Sequence, residues 1–200
     1  MSEINTETLI LNSAKKVFIT HGLEKAKMQQ IADEAGINKA LLHYYFRSKD
    51  KLFEAVFSDV LKEIVPMMKN FFGDNIPFTH KIELFVETYI NLIRKNPFLP
   101  EFVFTELNRN PERLIQMMVS FGVNPNVILT QIEKEIELGN IKKINPKQLL
   151  INILALTIFP FLAKPIVKGI LLNNDDDQFC RFIEERKVHI SEFVINAISV

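Results

Sequence analysis

The residues best suited to a chemical task lie between 39 and 47, where four side chains repeat at the spacing of one helical face. They are Ala40, His43, Tyr44 and Arg47. Leu42 and Phe46 fall on the opposite side, where they would hold the helix against its neighbours. A small Ala40 lets such a helix approach base edges closely, and His43 and Tyr44 can donate hydrogen bonds to phosphates. The pattern predicts a helix that enters the major groove of DNA.

Four further residues extend the predicted contact with DNA. Lys39 can reach a guanine edge or a phosphate, Leu41 can contact a thymine methyl group, and Tyr45 can donate to a phosphate. Lys49 stands at the start of the next helix, where its ammonium group and the free backbone amides would together hold a phosphate.

The preceding residues would position this helix. Residues 28–34 form another short helical segment, and Gly36 can take the left-handed conformation that a tight turn between helices requires. Asn38 follows, where its side chain can accept from the exposed amides of the next helix. The arrangement is that of a helix-turn-helix. Taken alone, however, residues 28–46 fit a helix pair packed into a protein core equally well.

Helical periodicity dominates the whole chain and predicts an all-α protein of about nine helices. The first helix should end near Gly22, which is suited to cap it. Ser48 should cap a long helix that Pro66 would kink or end early. Residues 73–77 form the clearest break in the chain.

The stretch from 149 to 172 is the most apolar part of the sequence. Two lysines, two prolines and an asparagine interrupt it, so its apolar run stays below the roughly 18 to 20 residues that a bilayer requires. A helix that is apolar nearly all round is instead buried, and we favour burial between two subunits. A peripheral membrane protein that uses this stretch is the weaker alternative.

The composition limits the classes of function. Basic and acidic residues balance at 24 each, but residues 1–51 hold eight basic and six acidic residues, which suits phosphate contact at that end. The single cysteine, Cys180, excludes an intrachain disulfide, and no signal peptide is visible. No phosphate-binding loop, nucleophile elbow or zinc motif occurs, and the four histidines are far apart. We expect a cytoplasmic protein that is not an enzyme and needs no metal or cofactor.

About the first 55 residues closely resemble the DNA-binding head of the TetR family of transcriptional regulators. The resemblance rests on Ala14, Val17, Phe18 and Gly22, followed by Met28-x-x-Ile31-Ala32-x-x-Ala35-Gly36-Ile37-Asn38-Lys39-Ala40-Leu41-Leu42-His43-Tyr44-Tyr45-Phe46-x-Ser48-Lys49-Asp50-x-Leu52-Phe53. Four residues depart from the usual family pattern: Lys27 replaces a threonine that usually touches phosphate, Ala40 and Leu41 replace glycine and threonine, and His43 replaces tyrosine. Lys27 could make the same phosphate contact with a charge.

The resemblance implies a helix-turn-helix DNA-binding domain over residues 1–50 and a ligand-binding and dimerisation domain over residues 51–200. It also implies homodimers formed by the last two helices, a ligand cavity in each body, and release of operator DNA when ligand binds. By the habit of the family, the protein would repress transcription from a palindromic operator in double-stranded DNA.

The phenylalanine-rich body suggests an apolar or aromatic small-molecule effector. The candidate pocket residues come from segments that the family places around its cavity. They are Phe98, Phe102, Met117, Met118, Phe121 and Phe159. For any single one of them, ordinary core packing is the simpler interpretation. The alternative function is an all-α small-molecule-binding protein or enzyme whose N-terminal head is purely structural.

Overall fold

Helices account for all regular secondary structure in residues 3–71 and 76–200, the parts of the chain that the computed structural model describes. The all-α prediction is therefore confirmed. In chain order the helices are α1 (Glu3–Lys25), α2 (Met28–Glu34), α3 (Lys39–Tyr45), α4 (Lys49–Phe71), α5 (Phe78–Lys95), α6 (Leu99–Arg109), α7 (Pro111–Ser120), α8 (Asn126–Glu137), α9 (Pro146–Leu162), α10 (Lys164–Ile166) and α11 (Asp176–Ile198). Residues 73–75 of the predicted break lie outside the described residues.

The described ranges contain eleven α-helices, so the predicted number of about nine was too low. One cause is the apolar stretch, which breaks at Ala163 and continues through α10 into a π-helical turn, Val167–Leu171. Pro160 and Pro165 lack the backbone donors that would continue one regular helix. No single described helix is long and apolar enough to cross a bilayer, although α9 and the segment after it, which meet at 65°, pass that test as a pair.

The ends of the long helices also differ from the prediction. Gly22, at φ 74°, bends α1 rather than ending it, and the helix continues to Lys25. Ser48 does cap α4, because its hydroxyl accepts from the Lys51 amide at 3.1 Å. Pro66 does not end α4, which continues to Phe71.

The chain forms two compact units that interleave in sequence. Unit 1 comprises Met1–Val65 and Asn96–Gly122, and unit 2 comprises Pro66–Lys95 and Val123–Val200. Helices α6 and α7 therefore belong to unit 1, together with helices α1, α2 and α3 and the first part of α4. The compact units do not follow the predicted domain boundary after residue 50. The division of functions at that boundary stays a prediction.

Five phenylalanines form the aromatic core of unit 1 and explain why α6 belongs to it. Phe53 of α4 lies 5.1 Å from Phe18 of α1, between ring centroids. From α6, Phe102 lies 3.9 Å from Phe53 and 5.1 Å from Phe57, and Phe98 lies 5.6 Å from Phe53. All five side chains are buried. Burial of aromatic area on this scale binds α6 to the helices that support α3.

Unit 2 has its own core, built mainly from α5, α9 and α11 and completed by α8. Helix α9 buries one face and leaves the other in solvent. The buried residues of α9 are Leu149, Ile153, Thr157 and Pro160. Ile151 and Phe159 are 58% and 62% exposed. The apolar helix α9 is therefore buried within unit 2 on one side only.

Candidate nucleic-acid interface

The turn between α2 and α3 has the predicted left-handed glycine. Gly36 adopts φ 63°, and its amide donates to Asp33 at 3.1 Å while the Ile37 amide donates to Ala32 at 3.0 Å. A Cβ on Gly36 would meet nothing within 4 Å. The requirement for glycine is therefore conformational rather than steric.

Helix α3 is capped and fixed from behind as the sequence predicted. The Asn38 side chain accepts from the Leu41 amide at 2.7 Å, which satisfies one of the free donors at the start of the helix. Leu42 is fully buried and Phe46 is 7% exposed. Ile31 and Ala32 of α2 are also fully buried. These contacts fix the orientation of α3 around its own axis.

The outer side of α3 is open. Lys39, Ala40 and Leu41 are exposed, and Tyr44 is 74% exposed. Tyr45 is half-buried and meets the Tyr44 ring edge-on, with centroids 5.5 Å apart. This contact holds the Tyr44 ring on one side without covering it.

His43 is half-buried beside this surface and has a specific hydrogen-bond partner. Its Nδ1 atom lies 3.3 Å from the carbonyl oxygen of Arg47, which follows the end of α3. A carbonyl oxygen only accepts, so Nδ1 is the donor in this contact. The side chain of Arg47 is exposed.

Lys27, the predicted phosphate ligand before α2, is exposed at the N-cap position. Its backbone amide donates to the side chain of Gln30 at 2.9 Å. The sequence interpretation missed Gln30, although the spacing of three residues between an N-cap and a glutamine is the signal of this capping contact. Lys27, Lys39 and Arg47 are thus all exposed cationic side chains of the head.

Lys49 begins α4 as the sequence predicted, but its ammonium group has partners within the protein. Its ammonium donates to the carbonyl oxygens of Leu23 and Glu24 at 2.9 Å each, at the end of α1. The ammonium therefore satisfies carbonyls that have no helical partner. This placement argues against a phosphate contact by that ammonium in the observed conformation and assigns it to the support of the head.

The six residues predicted to bind a ligand do not form one pocket within either unit. Phe98 and Phe102 are core residues of unit 1. Met117 accepts a hydrogen bond from Ser58 at 3.9 Å, and Met118 and Phe121 are half-buried in the same unit. Phe159 belongs to unit 2 and is exposed. These residues are therefore buried core residues, half-buried residues or exposed surface residues.

Two cavities in unit 2 involve other residues. A small apolar cavity of about 20 Å³ lies between α5, α8 and α9. It is lined by Phe78, Lys81, Ile82, Phe85, Ile128, Ile132, Leu150 and Ile153. An open cleft of about 440 Å³ lies between the start of α5 and the residues after α8. No group of His, Cys, Asp or Glu within residues 3–71 and 76–200 is arranged to hold a metal ion.

Comparison with known proteins shows which family the helix-turn-helix region is similar to. The sequence profile described as "Bacterial regulatory proteins, tetR family" matches residues 10–56. The uncharacterised helix-turn-helix regulator YhgD of Bacillus subtilis is 25% identical over 154 residues, which span 72% of this chain and 76% of YhgD. The regulator RutR of Escherichia coli K12 is 32% identical over 88 residues, which span 44% of this chain and 41% of RutR.

Solved structures support the same fold. The regulator FadR from Bacillus subtilis, in complex with stearoyl-CoA, superposes with a TM-score of 0.68 over 94% of this chain and 97% of FadR at 15% identity. The capped helix pair, its buried inner side and the match over residues 10–56 agree with one another. Residues 10–56 therefore form a helix-turn-helix, DNA-binding domain of the kind found in TetR-family transcriptional regulators.

Proposed function

We propose that this regulator is a ligand-responsive repressor that binds a palindromic operator as a homodimer, with the exposed side of α3 in the major groove. One observation carries the proposal: Leu42 and Phe46 are buried while Ala40 and Tyr44 face solvent. A helix fixed on one side and open on the other is what base recognition in the groove requires.

Selection of bound duplexes from a random pool tests the DNA-binding surface. A palindromic consensus is the expected result, because a symmetric dimer presents two copies of α3 about one helical turn apart. Affinity for the selected duplex should fall steeply with salt, since each phosphate contact releases counterions. If the protein were instead an all-α small-molecule-binding protein with a purely structural head, the selected duplexes would show no consensus sequence.

Exposed apolar side chains support the proposed homodimer. Phe159 on α9 is 62% exposed, and Val188 and Phe193 on α11 are 61% and 60% exposed. Large apolar residues left in solvent on the last long helices are typical of an interface between subunits. Sedimentation should give a dimer, and Phe193→Asp should shift it toward monomer, whereas a monomeric wild type would contradict the proposal.

We propose an apolar small molecule as the effector, because the cavity between α5, α8 and α9 has an apolar lining. That cavity is too small for a ligand as observed, so ligand binding requires α8 or α9 to shift. FadR was solved with an acyl-CoA, which makes acyl-CoA esters of increasing chain length a suitable first series. An effector should raise the melting temperature and release operator DNA in the same concentration range.

The family is a non-enzymatic one, so regulation is read out by transcription. A cytoplasmic location belongs to the same proposal. A reporter placed behind the selected operator should be silenced by the protein and relieved by the effector. Activation of the reporter would reverse the proposed polarity without affecting the DNA-binding surface.

A further inference from the structure

We propose that His43 is a specificity-determining residue whose Nε2 atom accepts a hydrogen bond from an exocyclic amine, adenine N6 or cytosine N4, in the major groove. The inference rests on the proposed docking of α3 and goes beyond it by assigning one class of base to one atom. Its starting point is the contact between Nδ1 of His43 and the carbonyl oxygen of Arg47.

That contact fixes the tautomer of the ring. The Arg47 carbonyl can only accept, so the hydrogen of a neutral His43 ring is on Nδ1. Nε2 then has a lone pair and no hydrogen. Among the described residues, the structure gives Nε2 no hydrogen-bond partner, and it is the atom of the ring that remains available to a ligand.

A lone pair on Nε2 of His43 can bond only to a hydrogen-bond donor of the DNA. Phosphate oxygens, guanine O6 and N7, and thymine O4 are acceptors and cannot bond to it. The donors that the major groove displays are adenine N6 and cytosine N4. A neutral His43 therefore contacts a base edge rather than the phosphate that the sequence interpretation assigned to it.

The position of His43 on α3 agrees with this assignment. It lies one turn beyond Ala40, whose small exposed side chain allows close approach, and beside Tyr44, which is 74% exposed. Arg47, whose carbonyl oxygen holds the ring, also has an exposed side chain just beyond the end of the helix. The imidazole is thus oriented by the backbone just beyond the end of α3, which limits the rotational freedom lost on binding.

The test removes one amine at a time from the duplex that wild-type protein selects from a random pool. Each adenine in turn is replaced by purine, which lacks the N6 amine, and each cytosine by 2-pyrimidinone, which lacks the N4 amine. Dissociation constants are measured at pH 8. The same duplexes are measured with His43→Phe, which retains an aromatic ring but has no acceptor.

The expected result is one symmetry-related pair of positions where amine removal weakens wild-type binding about three- to tenfold per half-site. At that pair His43→Phe should show less than a twofold effect, and at all other positions the two proteins should respond alike. His43→Gln, whose amide oxygen can accept, should restore part of the discrimination. Circular dichroism and sedimentation establish that each variant is folded and has the wild-type assembly state.

Two results would overturn the inference. If no amine depends on residue 43 while wild type still selects a consensus, His43 is not a base-reading residue and the proposed docking stands. If wild type selects no sequence at all, the proposed docking fails and the inference fails with it.

Discussion

Arg186 of α11 donates through Nη2 to the carbonyl oxygen of Leu156 in α9 at 2.8 Å. The residue four positions after Leu156 is Pro160, which has no amide hydrogen to give. Arg186 thus supplies from a neighbouring helix the bond that the proline removes. Burial lowers the pKa of the Arg186 guanidinium, although arginine still remains charged.

Replacing this arginine should destabilise unit 2. Arg186→Met retains much of the side-chain volume but leaves the Leu156 carbonyl without a partner, so we expect a loss of about 1 to 3 kcal/mol in the free energy of unfolding. Urea titration measures it. Arg181→Met, on an exposed part of the same helix, is the matched control and should change the free energy by less than about 0.5 kcal/mol. An equal loss of unfolding free energy in the two variants would contradict the specific role of Arg186.

Tyr44→Ala should separate binding from stability. The side chain is 74% exposed and meets the Tyr45 ring edge-on, so the free energy of unfolding should change by less than about 0.5 kcal/mol. Affinity for the selected operator should fall at least tenfold, corresponding to about 1.4 kcal/mol. Leu107→Ala, an exposed residue of α6, serves as control and should leave both quantities unchanged. Wild-type operator affinity in Tyr44→Ala would argue strongly against the proposed face of α3.

Lys49→Met should act on the stability of the head rather than on a phosphate contact. The substitution removes two hydrogen bonds to the carbonyls of Leu23 and Glu24, which should cost about 1 to 2 kcal/mol of unfolding free energy. The slope of log affinity against log salt should stay unchanged, because a lost phosphate contact would reduce it by about 1. Lys62→Met, an exposed position of α4, is the control. A shallower slope with unchanged stability would restore the role in phosphate binding.

Asp175 should make the stability of α11 sensitive to acid. Its side chain accepts from the Gln178 backbone and side chain and from the Asp177 amide, and these bonds lower the pKa of its carboxyl from 3.8. A lowered pKa in the folded state contributes stability above the unfolded value, and that contribution is lost as the pH falls below 3.8 towards the folded value. The free energy of unfolding should therefore decline in that window. Asp175→Asn should flatten the decline, and an unchanged pH profile in this variant would contradict it.

The head could be predicted closely because its determinants are local. Gly36 and Asn38 act within a few residues of their own positions, and Leu42 and Phe46 follow from the helical period. Each of these expectations is confirmed by the structure.

Contacts between distant segments could not be predicted in the same way. The ammonium of Lys49 reaches the end of α1, some 25 residues earlier in the chain, and no spacing rule relates these positions. Phe98 and Phe102 are equally consistent with a pocket or a core until Phe53 and Phe57 are seen beside them. The break at Ala163 was foreseeable from the two prolines, but its direction was not.

The aromatic core of unit 1 determines how the DNA-binding part can be isolated or exchanged. A fragment that stops after Val65 would leave Phe53 and Phe57 without Phe98 and Phe102, and so would expose large apolar rings to water. A transplant of operator specificity into another regulator would therefore have to carry α6 and α7 along with the first four helices, or else replace α3 alone on its existing support.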